Sequence, residues 1–164
     1  MDIRKATNLS MLLALSIVLS VIESLIPVIG GVIPGIKLGL ANTVIIFVIY
    51  MYSFKDALFI SILRVIIVGI LRSGLFSITF FFSLSGALMS IIFMSLFKKH
   101  TKLSIVGVSV VGAVAHSIGQ ILIAILIINN INIVYYLPYL LLLSIPTGVI
   151  VGMSTKEVLN YIKK

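Results

Sequence analysis

Six apolar runs, divided by short polar breaks, leave this chain few folds to choose from. They read as residues 8–26, 38–52, 57–71, 75–97, 105–128 and 134–151, with an amphipathic tail over 154–164. Hydrocarbon offers no water to backbone N–H and C=O groups, so a spanning segment must satisfy them internally as a helix or in a closed barrel. Runs of about 20 apolar residues have the length of a membrane-crossing helix, not of a strand. The expectation is an all-α membrane protein with six transmembrane helices in a single integral domain, 1–164. Composition agrees. The chain is 61% hydrophobic and only 10% charged, where a soluble domain carries about a quarter charged residues. Met1–Thr7 and the run behind it could imitate a signal peptide. No small-x-small cleavage site follows, and the run is kept as the first helix. The second and third runs are the weak part of the count, because about 15 residues rise only ~22 Å against roughly 30 Å of hydrocarbon.

Charge sets the orientation. The net charge of +8 comes from 12 Lys and Arg against four acids. With six crossings and the N-terminus inside, Arg4, Lys5, Lys55, Lys98, Lys99, Lys102, Lys156, Lys163 and Lys164 all fall on the cytoplasmic side. The positive-inside rule therefore places both termini in the cytoplasm and the chain, multi-pass, in the plasma membrane. The excess of cations then belongs to topology, and nucleic acid is not an expected partner.

Three cations are left over: Lys37, Arg64 and Arg72. Arg64 falls about eight residues, roughly 12 Å, along the third run, within the hydrocarbon. A charge at such depth costs about 2.5–3.5 kcal/mol on insertion scales and is expected to face a partner or a wet cavity. Arg64 and Arg72 are eight positions apart, about 80° around a helix, and can share a broad face. Glu23, Asn42, His116 and Gln120 are the remaining polar groups inside apolar runs. His116 and Gln120, four apart, stack on one face of the fifth helix. These groups are expected to form a polar pocket open to the outside, positive in balance, suited to a small anionic or zwitterionic molecule. Each also has a structural reading: Glu23 as the mate of Lys37 or Arg72, Lys37 as a snorkelling lysine, and the imidazole and amides as helix–helix hydrogen bonds. Pro34-Gly35-Ile36-Lys37-Leu38-Gly39-Leu40-Ala41-Asn42 adds broken backbone beside a cation, and interrupted apolar segments of this kind point to binding sites in transporters.

Small residues form a second pattern. Ser10-x-x-x-Ala14 and Ser16-x-x-x-Ser20-x-x-x-Ser24 lie on the first helix, Ser83, Ser85, Gly86, Ala87 and Ser90 on the fourth, Gly107, Gly112 and Ala115 on the fifth. Such spacing admits close helix contact, within the bundle or with a second membrane subunit. Phe76, Phe80, Phe81 and Phe82 suit lipid contact or a stacking wall, lipid being the favoured reading.

The residues for several chemistries are missing. Cysteine is absent, and the acids are Asp2, Glu23, Asp56 and Glu157. They form neither a general acid/base pair nor a carboxylate cluster for magnesium and diphosphate. There is no P-loop lysine motif, and two histidines are too few for a metal centre. The expectation is a chain with no catalytic residues, no metal and no cofactor: not an enzyme.

Pro34–Asn42, Leu63-Arg64-Val65, Ser83-Leu84-Ser85-Gly86-Ala87-Leu88, Gly107-Val108-Ser109, Gly112–Gln120 and Tyr136-Leu137-Pro138 together resemble the Gx transporter family, often labelled heptaprenyl diphosphate synthase component I. Ser117 stands where that family frequently has Asn after the His. The family is similar to the substrate-binding S components of energy-coupling factor importers. Those are six-helix membrane proteins that bind a vitamin or related metabolite from outside and work with a transmembrane coupling protein and two ATPases. The resemblance implies an S-component-like bundle, a cover over the pocket from Pro27–Lys37, and coupling contacts at Ser10 and Ala14; the expected binding residues are those of the polar pocket, Glu23, Lys37, Asn42, Arg64, Arg72, His116 and Gln120. It implies as a second role an accessory subunit in polyprenyl diphosphate synthesis. The synthase label sits badly with a chain that has no Asp-rich magnesium site.

Overall fold

A computed structural model describes residues 3–25 and 39–162. Among these, six α-helices account for nearly all of the backbone: α1 (Ile3–Leu25), α2 (Leu40–Met51), α3 (Phe54–Val68), α4 (Ile78–His100), α5 (Ile105–Ile128) and α6 (Leu137–Ile162). A π-helical turn, Gly69–Ser73, continues α3, and a 3₁₀ segment, Ile131–Tyr136, leads into α6. Four spans are long and apolar enough to cross a membrane: Ile3–Leu25, Ile78–His100, Ile105–Ile128 and Ile131–Ile162. The helical membrane architecture is as the sequence implies; α2 and α3 fall short of that length.

Caps explain where the helices differ from the apolar runs. Ser53 and Asp56 form a reciprocal capping box, so α3 begins at Phe54 and not at residue 57. Ser77 accepts from the Phe80 N–H and delays α4 to Ile78. Ser104 accepts from the Gly107 N–H and starts α5 where expected. At the other end of α4, the helix runs on through Lys98, Lys99 and His100, cations that suit a C-terminal turn. The largest difference is in α6. The tail is no separate surface helix: it continues α6 to Ile162, with Thr155 and Leu159 buried in the bundle. Pro138 fits because it lies in the first turn, where its missing N–H has no partner to lose. Pro146 lies mid-helix, where Thr147 Oγ1 donates to the Leu143 and Ser144 carbonyls at 3.1 Å each.

The chain runs up and down. Lys5 Nζ meets Asp56 Oδ2 at 2.7 Å, bringing together the starts of α1 and α3. Lys98 Nζ donates to the Ile49 carbonyl and lies 4.6 Å from the Tyr50 ring centre, bringing together the ends of α4 and α2. One end of the bundle therefore gathers Arg4, Lys5, Lys55, Lys98, Lys99 and Lys102.

Helices α4, α5 and α6 pack by their smallest residues. A Cβ on Gly148 would lie 2.9 Å from the Val110 Cα, and one on Gly152 only 2.7 Å from the Val106 Cα. Ser109 Oγ donates to the Gly148 carbonyl at 2.7 Å, and Ser85 Oγ to the Gly119 carbonyl at 2.7 Å. These are backbone-to-backbone approaches that only small residues allow. Gly107, Gly112 and Ala115 were expected to allow close contact. The Gly148-x-x-x-Gly152 pair on α6 went unread, although its spacing was plain.

Helix α2 is the pivot. It packs on α1, α3, α4 and α6, and Val44, Ile45, Ile46, Val48 and Ile49 are all buried in the main core. Twelve residues rise only ~18 Å. A helix sheathed by protein instead of lipid has no need to match the bilayer. Its start lies deep, with Gly39 beside Val151 and the Thr43 carbonyl accepting from Thr155 Oγ1 at 3.4 Å, two positions well down α6.

Candidate functional site: a polar cavity above the start of α2

Because α2 begins partway along the bundle, its first turn opens into a cavity of about 300 Å³. Glu23, Asn42, Arg64, Arg72, His116 and Gln120 all line it. Six groups singled out on five helical segments thus converge on one space. Lys37, the rest of Pro34–Leu38 and the Pro27–Lys37 cover lie outside the described residues.

Gly39 sets up the first wall. It takes a left-handed conformation, φ 78°, which glycine adopts without strain. Its carbonyl accepts from the Asn42 N–H at 2.8 Å, and its own N–H donates to the Glu23 carboxylate. Glu23 therefore caps α2, supplying negative charge where a helix start is positive. It is buried at 6% exposure.

Arg64 supplies the second wall. It is also 6% exposed, and Nη1 donates to Asn42 Oδ1 at 3.4 Å. The acidic group whose field acts on it is Glu23. A guanidinium carries five N–H donors; the Asn42 bond is the one it makes among the described residues, and the side chain lines the cavity. Arg72 follows in the π-turn. That turn adds a residue per bond ring, a distortion found often at functional sites. Arg72 is exposed at the rim, where Nη2 donates to the Ser24 carbonyl at 3.3 Å and ties the rim to α1.

The far wall comes from α4 and α5. His116 is half-buried and Gln120 buried, one turn apart as their spacing required. A Cβ on Gly86 would lie within 2.7–2.9 Å of the imidazole atoms Nε2, Cε1 and Cδ2, so the absent side chain is the space that the ring occupies. Phe80 departs from the favoured lipid reading and fits the stacking wall instead: it is buried and lines the cavity, packed edge-on to Phe81 at 5.6 Å. Phe76 stays exposed, in a left-handed conformation with φ 64°.

Sequence reading found no role for α6, which contributes Leu140, Leu143, Ser144, Thr147, Gly148 and Val151. The signal was Pro146, an interruption flanked by small and hydroxylated residues. Hydroxyls of Thr79, Ser83 and Ser117 were also missed; lone Ser and Thr are too common in membrane helices to stand out. Ser10 and Ala14 lie elsewhere, exposed on α1 away from this cavity.

Apolar walls with a few convergent polar groups, at the small end of the 300–1,000 Å³ range, describe a small-molecule site. Among the described residues no cluster of His, Cys, Asp or Glu is placed to hold a metal ion. A family model described as "Heptaprenyl diphosphate synthase component I" matches residues 12–158. The chain belongs to that family. It is the one that the sequence motifs resemble, and the matched region takes in every residue that lines the cavity. Comparison with curated proteins and with solved structures gave no match.

Proposed function

We propose that this chain is the substrate-capturing membrane subunit of an energy-coupling factor type importer, an S-component-like protein that binds a small anionic metabolite and has no energy source of its own. The observation that carries the reading is Arg64: a guanidinium at 6% exposure, lightly bonded, facing a cavity among apolar helices. A buried cation of this kind is expensive unless an anion or a polar partner joins it. Glu23 offsets part of the charge. A ligand would complete the rest.

In this reading the end that gathers Lys5, Lys55, Lys98 and Lys99 faces the cytoplasm, with both termini, in the plasma membrane. The cavity then opens outward. Lys37 would join the site. A transmembrane coupling protein and ATPase subunits would be the partners, and Ser10 and Ala14, exposed on α1, would meet the coupling protein. The chain would act without catalysis and without a cofactor.

The test is ligand binding by the purified protein in lipid nanodiscs, read by native mass spectrometry and thermal shift. Wild type is expected to retain a small metabolite, and Arg64→Ala and His116→Ala to lose it while staying monodisperse. Transport by the isolated chain in proteoliposomes, with no ATPase present, would sink the proposal.

The family's description favours a second reading, an accessory subunit of heptaprenyl diphosphate synthesis. A cavity of about 300 Å³, at the small end of small-molecule sites, is small for a heptaprenyl chain, so that role would rest on a protein contact. Co-purification of a soluble prenyltransferase whose activity requires this chain would establish it.

A further inference from the structure

On α4 and α5 the cavity continues past His116. Gly112 precedes His116 by one turn of α5, and Ser90 follows Gly86 by one turn of α4, so both line the cavity about 6 Å beyond the imidazole, toward the cation-rich end. A Cβ on Gly112 would lie 2.5 Å from both Met94 Cγ and Sδ, so the Met94 thioether fills the place of the missing side chain. Met94 lines the cavity yet is 1% exposed, and it belongs to the main core with Ile45, Ile91 and Val108. It is the boundary between open space and packed interior. Ile46 and Val151, of the same core, line the cavity too. The space here is narrow, because α5 and α6 touch: a Cβ on Gly148 would lie 3.1 Å from the Ala113 Cβ. Nor are the nearby hydroxyls free contacts. Ser109 Oγ donates to the Gly148 carbonyl. Ser90 Oγ has no hydrogen-bond partner among the described residues, but it is buried and tucked against α5, where a Gly112 Cβ would lie 3.1 Å from it.

We propose that Met94, seated on Gly112, is the floor of the cavity and sets the length of apolar body that it accepts. The occupant is a short amphiphile. Its polar end meets Asn42, Arg64 and His116, and an unbranched hydrocarbon end points at the Met94 thioether. This inference rests on the binding reading above and adds the other half of the ligand. An apolar floor rewards buried hydrocarbon, whereas a charged or hydrogen-bonding end would give up its water with no partner in exchange. Contact between α5 and α6 leaves no width for a branch, and one turn of depth holds only a few methylenes. Methionine suits the place: its three rotatable bonds let it close an irregular gap between helices.

The probes are the straight-chain acids from butanoate to decanoate, titrated calorimetrically on the full chain in nanodiscs with empty nanodiscs as the blank. Small molecules carried through purification are extracted and weighed by mass spectrometry. In wild type, affinity is expected to rise about fourfold for each added methylene, the worth of one buried CH₂, up to a limiting length beyond which it falls. Met94→Ala lowers the floor and should move that limit to longer acids by about the three atoms of side chain removed. Gly112→Ala drives the thioether into the cavity and should move the limit at least one carbon shorter. Because a thioether can swing aside, Gly112→Ala carries the test alone should Met94→Ala fail to fold. An unmoved limit in folded Gly112→Ala would overturn the proposal. So would tighter binding of 6-hydroxyhexanoate than of hexanoate by wild type, which would make the Ser90 hydroxyl a deep polar contact. Either result leaves the binding reading standing, since an acid still binds. No binding of any acid together with no co-purified small molecule would overturn both.

Discussion

The bundle has two halves that differ in what holds them. Helices α4–α6 are joined through glycine and serine, with backbone of one helix against backbone of the next at Gly119, Gly148 and Gly152. Helices α1–α3 share an apolar core around α2 and add to it charge and caps: Lys5 to Asp56, Glu23 to the start of α2, and Arg64 to Asn42. One face of α1 meets no other helix, and Met11, Leu15, Val18 and Ile22 lie open along it. The cavity falls between the halves. One side supplies a stiff wall, the other the ions. Close contact in lipid depends on shape, because hydrocarbon gives apolar helices little reason to prefer each other. Charge tolerates distance. The zipped half should therefore fail sharply when its shape is altered, and the charged half gradually.

The strongest test of that difference is Gly152→Ala. Its new Cβ meets the Val106 Cα, a backbone atom that can yield only if α5 and α6 part. Overpacking of this kind costs about 1–3 kcal/mol. A marked fall in the midpoint of thermal unfolding in detergent is expected, along with poor recovery from the membrane. Val18→Ala on the open face of α1 is the counterpart, expected to stay within ~0.5 kcal/mol. Equal losses from both would remove the distinction.

Gly86→Ala probes the cavity wall that the zipped half supplies. A Cβ there enters the space of the His116 imidazole, which is a side chain and can swing away where a backbone cannot. Stability should fall less than for Gly152→Ala, while the displaced ring intrudes on the cavity. We expect about tenfold weaker ligand binding at a largely kept unfolding midpoint. Serine is a sharper variant at the same place, since its Oγ can bond the ring. If Gly86→Ala binds as wild type does, His116 is only a packing residue.

How much of this was legible follows the same division. The helices and their order could be read because apolar length is a local property, and α5 was placed to the residue. The converging polar groups could be read because a charge or amide in hydrocarbon is costly enough to need a reason, as Arg64 and His116 show. What stayed hidden depended on neighbours. Nothing local in Phe80 separates a cavity wall from a lipid-facing ring. The part of α6 in the cavity depends on Gly148 lying against Val110 of α5, and the helical tail on Leu159 finding a place in the core. Nor does any sequence pattern say that α2 starts deep. Its depth comes from the four helices around it.

The smallest effect should lie at the Lys5–Asp56 contact. The Lys5 ammonium, with Ser53 hydroxyl and N–H, stabilises the Asp56 carboxylate, so its pKa is held below the ordinary value of 3.8. The sign follows from linkage: a group whose folded pKa is depressed stabilises the fold above its unfolded pKa, and that contribution disappears as pH falls through the folded value. The contact lies near solvent at the end of the bundle, where exposed pairs are worth about 0.2–1 kcal/mol and weaken with salt. Asp56→Asn should therefore cost a few tenths of a kcal/mol at neutral pH by the ion-pair term, and the difference from wild type should vanish as pH falls through the depressed Asp56 value, below which both side chains are neutral. Loss of the capping box would add up to about 1 kcal/mol. Lys5→Gln separates the two, because it removes the ion pair and leaves Ser53 and Asp56 to cap α3. If Lys5→Gln matches the loss from Asp56→Asn at neutral pH and low salt, charge holds this corner; if it leaves the unfolding midpoint unmoved, the cap holds α3 and the ion pair only decorates it, which would narrow the charged half to the groups around the cavity.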